Sequence, residues 1–439
     1  MNRRRAILLG GIYMSLRVRK IFALTLSFCT AFVLLLGTAG CSTANGDNIG
    51  GEDAELVAGD LDGTEADEQD GQAEPPAPND RIQKLSVEIF RQAASTDSSS
   101  MVSPISVIMA MSMVENGAEG ETKAQMEKAF GMKSGEMSEW LKAWRESQAA
   151  DKKTLNIANS LWYNESLGFE PSVEYKRLLT KSFAAEINGG SFDSSTVKRI
   201  NAWVKKESKG MIEKITDRLS AEDVLLLLNA IAFDDKWSEP YEEHQIKTEV
   251  FTKEDGSKSK LRLMYSEESK YLHDELATGF IKPYESGYSF AAILPNEGVS
   301  VKEYLSKTDA EGFTAFLNSS ESAVVHAVLP EFKSEYETSA AVEIFKEMGI
   351  TRLFDSSAAE LGGMGNRDDI FVSGITHKTY IEVNSEGTRA AAVTGVMCGT
   401  TSLAEPPREY TVRLDRPFIY AIIDADTATP VFMGTMMGE

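Results

Sequence analysis

The periodicity of this chain changes once, near Trp237, and that change constrains the fold more than any other feature. Before it, apolar residues recur mostly at helical spacing; after it, they alternate or run in short blocks between turn residues. "RIQKLSVEIFRQAA" spaces Ile82, Leu85, Ile89 and Phe90 along one helical face, so a first helix begins at Arg81. "SPISVIMAMSMVENGA" opens with Ser103 as a cap and Pro104 in the first turn. It is apolar nearly all round, which predicts a buried helix. "GETKAQMEKAF", "EMSEWLKAWRES", "PSVEYKRLLTKSF" and "RINAWVKKESKGMIEKI" predict further helices, with a strand in "TLNIANSLWYNE". "DVLLLLNAIAFDDKW" combines a buried run with a strand-like end. Beyond Trp237, "TEVFTK", "KLRLMYSE", "GFIKPYES", "YSFAAILPNEG", "SESAVVHAVLPEF" and "THKTYIEVNSEGT" predict strands, interrupted by a helix in "TSAAVEIFKEMGI". Two apolar strands around an "ADTATP" turn close the chain. Helices first and strands later predict one α+β domain with segregated helices and largely antiparallel sheets.

The net charge of −22 is unevenly spread. Residues 1–41 carry six basic groups and no acids, residues 42–80 carry twelve acids and no bases, and residues 81–439 keep an acidic excess. An excess of that sign repels phosphate backbones, which argues against nucleic-acid binding. Arg17, Arg19 and Lys20 precede the apolar run "IFALTLSFCTAFVLLLG", which ends in "TAGC". Residues 1–41 therefore read as an export signal resembling the lipoprotein type, in which Cys41 receives lipid and becomes the new N-terminus. An uncleaved transmembrane anchor is the alternative. Met1 and Met14 are both possible starts, since "MSLRVRK" and the apolar run make a compact signal alone. Either reading places the remainder outside the cytoplasmic membrane, at the cell surface or, if released, extracellular. Cys398 is the only thiol left after processing, so no intrachain disulfide forms. Residues 42–80 lack aromatics and are dense in acid, Gly and Pro. They predict a disordered tether with a reach of roughly 35 Å.

A search for catalytic chemistry is thin. The four histidines, His244, His273, His326 and His377, form no HExxH pair, and no GxSxG elbow or GxxxxGK[ST] loop is present. "LGGMGNRDD" has glycines but follows a helix rather than a strand, unlike a phosphate cradle. The expectation is a protein that is not an enzyme and uses no cofactor or metal.

One stretch resists this bland picture. "GTRAAAVTG", residues 387–395, continues into "VMCGTTSLAEPP", with no Lys or Arg between Arg389 and Arg408. It is too featureless for a helix face and too long for a turn. Read with period two, Thr388, Ala390, Ala392, Thr394, Val396 and Cys398 share one small or apolar face. Arg389, Ala391, Val393 and Gly395 share the other, so the one charge falls on the opposite side.

Several spaced motifs in order give residues 81–439 a resemblance to the serpins. "MVSPISVIMAMSM" resembles that family's buried second helix, and "FAAEINGGSFDSSTVKRINAWVKKESKGMI" its strand-and-helix region. "LLNAIAFDDKW" resembles the central strand ending in Trp; "LPEFKSEY" and "MGITRLF" are also typical. "ITHKTYIEVNSEGTRAAAVTG" resembles the strand and hinge of the reactive loop, and "DRPFIYAIID" and "PVFMGTM" the closing strands. The resemblance implies a metastable single domain with three β-sheets and about nine helices, and an exposed reactive-centre loop over about 385–407. It implies a monomeric suicide inhibitor that forms a covalent acyl-enzyme with a serine protease and then inserts its cleaved loop into the main sheet. The alternative is a surface-anchored binding protein that uses the same scaffold without inhibition.

The resemblance also assigns residues. The hinge falls on Ser385, Glu386, Gly387, Thr388, Arg389, Ala390, Ala391 and Ala392; the shutter beneath the sheet on Ser103, Ser106, Asn201 and His377; the breach on Trp237. Two positions depart from the family, which usually has Glu where Ser385 and Arg389 stand. Ser385 removes an ionic contact near the breach, whereas Arg389 reverses a solvent-side charge of little weight. Counting seventeen residues from Ser385 puts the reactive bond at Thr401–Ser402; a loop about two residues longer than usual shifts it to Leu403–Ala404, with Met397–Cys398 a weaker choice. Each option is uncharged, which favours elastase-, subtilisin- or chymotrypsin-like targets over trypsin-like ones.

Overall fold

Caps written into the sequence set where the helices start. Asn79 accepts from the Arg81 and Ile82 amides at the head of α1 (Asp80–Ala93), and Ser103 accepts from Ser106 ahead of α2 (Pro104–Glu115). The short strand β1 (Ser100–Val102) lies between them. In the computed structural model, residues 74–151, 154–338, 341–373, 375, 377–388 and 408–438 are described. Residues 1–73, on which the expected export signal with Cys41 and most of the expected tether fall, and residues 389–407 lie outside the described residues.

α2 is buried on nearly every side, as its all-round apolar sequence requires. Helices α3 (Gly120–Phe130) and α4 (Ser134–Asp151) follow, then strand β2 (Leu155–Asn164), helix α5 (Val173–Phe183) and strand β3 (Glu186–Gly190). Helix α6 (Ser194–Glu207) is capped by Asp193. It ends earlier than the pattern through Ile215 predicts, because Lys209 and Gly210 take left-handed conformations, φ 52° and 79°. Strand β4 (Leu225–Phe233) runs into the two-residue β5 (Asp235–Lys236) just before Trp237.

The second half is β-rich as expected: β6 (Ile246–Thr252), β7 (Lys258–His273), β8 (Ala277–Pro283) and β9 (Tyr288–Pro295). Two helices, α7 (Val301–Lys307) and α8 (Ala310–Asn318), form where the sequence reading assigned nothing, each too short to show a full apolar stripe. Ser300 and Asp309 cap them. Strands β10 (Glu321–Pro330) and β11 (Phe332–Thr338), helix α9 (Ala341–Glu347), and strands β12 (His377–Val383) and β13 (Gly387–Thr388) come next. Strands β14 (Glu409–Arg413), β15 (Phe418–Asp424) and β16 (Thr429–Met436) complete the chain.

Among the described residues there are nine α-helices and three hydrogen-bonded sheets. Nine strands form the largest sheet, in the order β1-β16-β15-β9-β8-β7-β10-β14 with β6 also on β7. The others are β11-β12-β13-β5 and β3-β2-β4. Pairing is antiparallel except for β2 with β3 and β10 with β14. Strands β15 and β16 are buried throughout and, with α1 and α2, form the centre of the main core.

Candidate functional site

Among the described residues strand β4 is paired along one edge, by β2, and β12 along one edge by β11, with β13 meeting its other side at Val383. Among the described residues the facing edges of β4 and β12 share no ladder. A cleft lies between them, floored by Val107, Ala110 and Met111 of α2 and walled by Leu225, Leu227, Ile375 and His377. Two facing strand edges left unpaired by the described residues, over an apolar floor, are the kind of edge that an added strand can cover.

Strand β13 closes the mouth of this gap. Thr388 pairs with Val383 of β12 on one side and Asp235 of β5 on the other, and Gly387 pairs with Lys236. Any side chain at Gly387 would collide with the Asp235 carbonyl oxygen, so only glycine fits this approach. The turn before it is tight: Asn384 Oδ1 accepts from the Glu386 and Gly387 amides at 2.9 and 3.2 Å. Trp237 holds the turn from outside. Its backbone amide donates to the Glu386 carbonyl at 3.0 Å and its indole N–H to the Asn384 carbonyl at 2.9 Å. The Tyr241 amide donates to the Ser385 carbonyl at 2.8 Å. Trp237, fully buried, stacks on Tyr284 at 4.3 Å, and the Tyr284 hydroxyl lies 2.7 Å from Thr388 Oγ1.

A polar network crosses beneath the gap at the N-terminus of α2. The Ser103 amide donates to His377 Nε2 at 3.0 Å, and Ser103 Oγ donates to the Val431 carbonyl at 2.8 Å. Ser106 Oγ donates to Asn229 Oδ1 of β4, whose amide donates to Asn159 of β2 at 2.8 Å. The network thus ties β12 to β4 through a helix rather than through a ladder. Burial drives the His377 pKa down to about 4, so the ring is neutral and accepts.

The asparagine in this network is Asn229, not Asn201. Asn201 lies on α6, where its side chain accepts from the Ile215 and Thr216 amides and donates to the Thr216 carbonyl at 2.8 Å. It ties down the irregular segment after α6 and reaches neither Ser106 nor His377. A lone Asn in the apolar run "LLLLNAIAF" was the signal for Asn229, since a polar group there needs a partner. Tyr284 and Lys282 also belong to the mouth of the gap and were missed. Of the other assigned residues, Ser103, Ser106 and His377 come together, and Ser385, Glu386, Gly387 and Thr388 lie beside Trp237. Arg389, Ala390, Ala391, Ala392 and the candidate bonds at Thr401, Ser402, Leu403 and Ala404 lie outside the described residues.

The family model described as serpin (serine protease inhibitor) matches residues 80–438. The chain is a serpin. It is 29% identical to chicken (Gallus gallus) neuroserpin over 382 residues, covering 82% of this chain and 91% of that one. It is 31% identical to mouse (Mus musculus) leukocyte elastase inhibitor A over 350 residues, covering 76% and 91%. Among solved structures, the native state of the thermophilic serpin tengpin matches with a TM-score of 0.75 at 36% identity, covering 84% of this chain and 97% of that one. Serpins are mostly protease inhibitors, and the gap, the short strand at its mouth and the α2 network now have a family frame.

Proposed function

We propose that this serpin is a suicide-substrate inhibitor of serine proteases that do not require a basic residue at the cleaved bond. The observation that carries the reading is β13: a short strand with Thr388 buried, seated between β12 and β5 at the head of the cleft between β4 and β12. The protease serine oxygen attacks the carbonyl of Thr401 or, in the alternative register, Leu403. The leaving amine of Ser402 or Ala404 takes up a proton, and an ester joins protease to loop. Cleavage frees residues 389 onward from their tether to β14. They extend β13 downward as a new strand, the strand addition for which this family is a standard example. Thirteen residues at about 3.3 Å each would carry the protease roughly 40 Å. A dozen new ladder bonds at about 0.5–1.5 kcal/mol each supply on the order of 10 kcal/mol to deform it.

The absence of Lys and Arg between Arg389 and Arg408 favours elastase-, subtilisin- or chymotrypsin-like targets. The name of the mouse leukocyte elastase inhibitor points the same way. The test is to mix the protein with neutrophil elastase, subtilisin and trypsin and look for a complex that survives boiling in SDS. Mass spectrometry of the released fragment should begin at Ser402 or Ala404. Rapid trapping of trypsin, or no complex with any of the three, overturns the reading.

We propose further that the inhibitor is exported and anchored by lipid on Cys41 at the outer face of the cytoplasmic membrane, with residues 42–80 as tether. The basic cluster, the apolar run and "TAGC" support this. Cys41→Ser should abolish partition into detergent and change the mass of the mature chain; an unchanged membrane fraction favours a plain transmembrane anchor.

A further inference from the structure

Lys282 of β8 and Glu268 of β7 form an ion pair at 2.9 Å, with side-chain exposures of 2% and 6%. Ser266 Oγ donates to the same Glu268 oxygen at 2.6 Å and lies 3.3 Å from the Tyr241 hydroxyl. The Lys282 ammonium also sits 4.5 Å from the Tyr241 ring centre and 5.4 Å from that of Trp237. These are the two residues whose backbone amides grip the turn at Ser385 and Glu386.

We infer that Lys282 and Glu268 are positioning residues for strand insertion, a role that rests on the inhibitory reading above. A buried ion pair contributes little net stability, because desolvation offsets its attraction. What it supplies is fixed geometry: one ammonium set between a carboxylate and two aromatic faces. The two rings cannot shift without weakening those contacts, and the turn at Asn384–Glu386 hangs from both. That turn is common to the states before and after insertion, since each added residue lengthens β13 against β12. It must stay in register while the strand is drawn in, against the drag of the attached protease. Ser385 itself brings no ionic contact to the turn. The buried pair, one layer below, holds it instead through Tyr241 and Trp237.

The test compares wild type, the Lys282→Met/Glu268→Gln double variant and Ser266→Ala. Gln keeps an acceptor for Ser266, and Ser266→Ala unlinks Tyr241 while leaving both charges paired. Each is titrated against subtilisin, and against neutrophil elastase if that is the enzyme wild type traps. The readout is inhibitor consumed per protease held in the SDS-stable complex, with melting temperature before and after full cleavage. The double variant should melt near wild type, yet the ratio should rise about tenfold, within the coupling found inside one hydrogen-bond network. Ser266→Ala should raise it less. Both cleaved forms should reach the wild-type final melting temperature, because the end state is the same. An unchanged ratio in the double variant, while wild type traps protease, leaves the pair a merely structural feature and sinks the inference. Should the double variant fail to fold, an unchanged ratio in Ser266→Ala does the same. A wild type that traps neither protease overturns the inhibitory reading, and this inference with it.

Discussion

Thr388 Oγ1 lies 2.7 Å from the Tyr284 hydroxyl, and Tyr284 in turn stacks on Trp237. Thr388, buried in β13, is thus bonded to a residue at the mouth of the gap. Thr388 is 1% exposed, so a guanidinium there has no route to water without expelling β13. Burying such a charge unpaired costs several kcal/mol. Thr388→Arg should therefore behave as a substrate, cut at the same bond without forming an SDS-stable complex. Thr388→Val keeps the shape but orphans the tyrosine hydroxyl, at about 1–3 kcal/mol, and should still trap protease. Equal trapping by both variants would contradict the inward register.

The sequence carried most of this arrangement and failed at identifiable places. Period two in "GTRAAAVTG" placed Thr388 on the inward face, and its burial agrees, because alternation along a strand needs no tertiary information. The caps and the buried α2 were legible for the same local reason. Asn201 on helix α6 and Asn229 in strand β4 carry the same amide; the apolar run around Asn229 shows that its side chain needs a partner, not which partner it has. Only the fold decides which one faces Ser106. Lys282 was hidden because a lysine in a strand reads as a solvent-facing residue; its partner Glu268 lies on a neighbouring strand, not at any sequence spacing. α7 and α8 were too short for periodicity to show.

His377 makes the network beneath the gap sensitive to acid. Its pKa is about 4 in the folded chain against an ordinary 6.5, so between those values the unfolded chain binds a proton that the folded one does not. Stability rises with pH across this window and is lost as pH falls from 6.5 to 4, by about 3 kcal/mol in all. His377→Gln can still accept from the Ser103 amide but does not titrate. Urea midpoints at pH 7.5 and 4.5 should therefore converge for the variant relative to wild type. An identical pH dependence in both would show that His377 carries a proton in the fold.

Glu115 acts with the opposite sign. It ends α2 fully buried, neither carboxylate oxygen has a partner among the described residues, and burial raises its pKa to about 8. The negative end of the helix also disfavours its charge. Between 4.5 and 8 the folded chain holds a proton that the unfolded chain has released, so this group's contribution falls as pH rises through that range. Glu115→Gln should raise the melting temperature at pH 8.5 by several degrees and have little effect at pH 4.5. A variant no more stable than wild type at pH 8.5 would mean that the carboxylate finds a partner.

Asn229 and Asn201 give the sharpest separation between the gap and its surroundings. Asn229→Ala leaves Ser106 Oγ without its acceptor and Asn159 Oδ1 without its donor, so the tie between β4 and α2 is cut. Unmet groups of this kind cost about 1–3 kcal/mol each, less where water reaches them. Asn201→Ala instead frees the Ile215 and Thr216 amides, far along the chain from β12. Hydrogen exchange distinguishes the two. For Asn229→Ala, protection should fall in β4 and β12, because the gap widens when its lower tie is lost. For Asn201→Ala, it should fall around residues 212–219 and leave β12 as in wild type. The Asn229 variant should also convert more readily, uncleaved, to an inactive and more heat-resistant form, since the loop gains an easier path into the sheet. Loss of protection in β12 from Asn201→Ala alone would return that residue to the network from which the geometry has removed it.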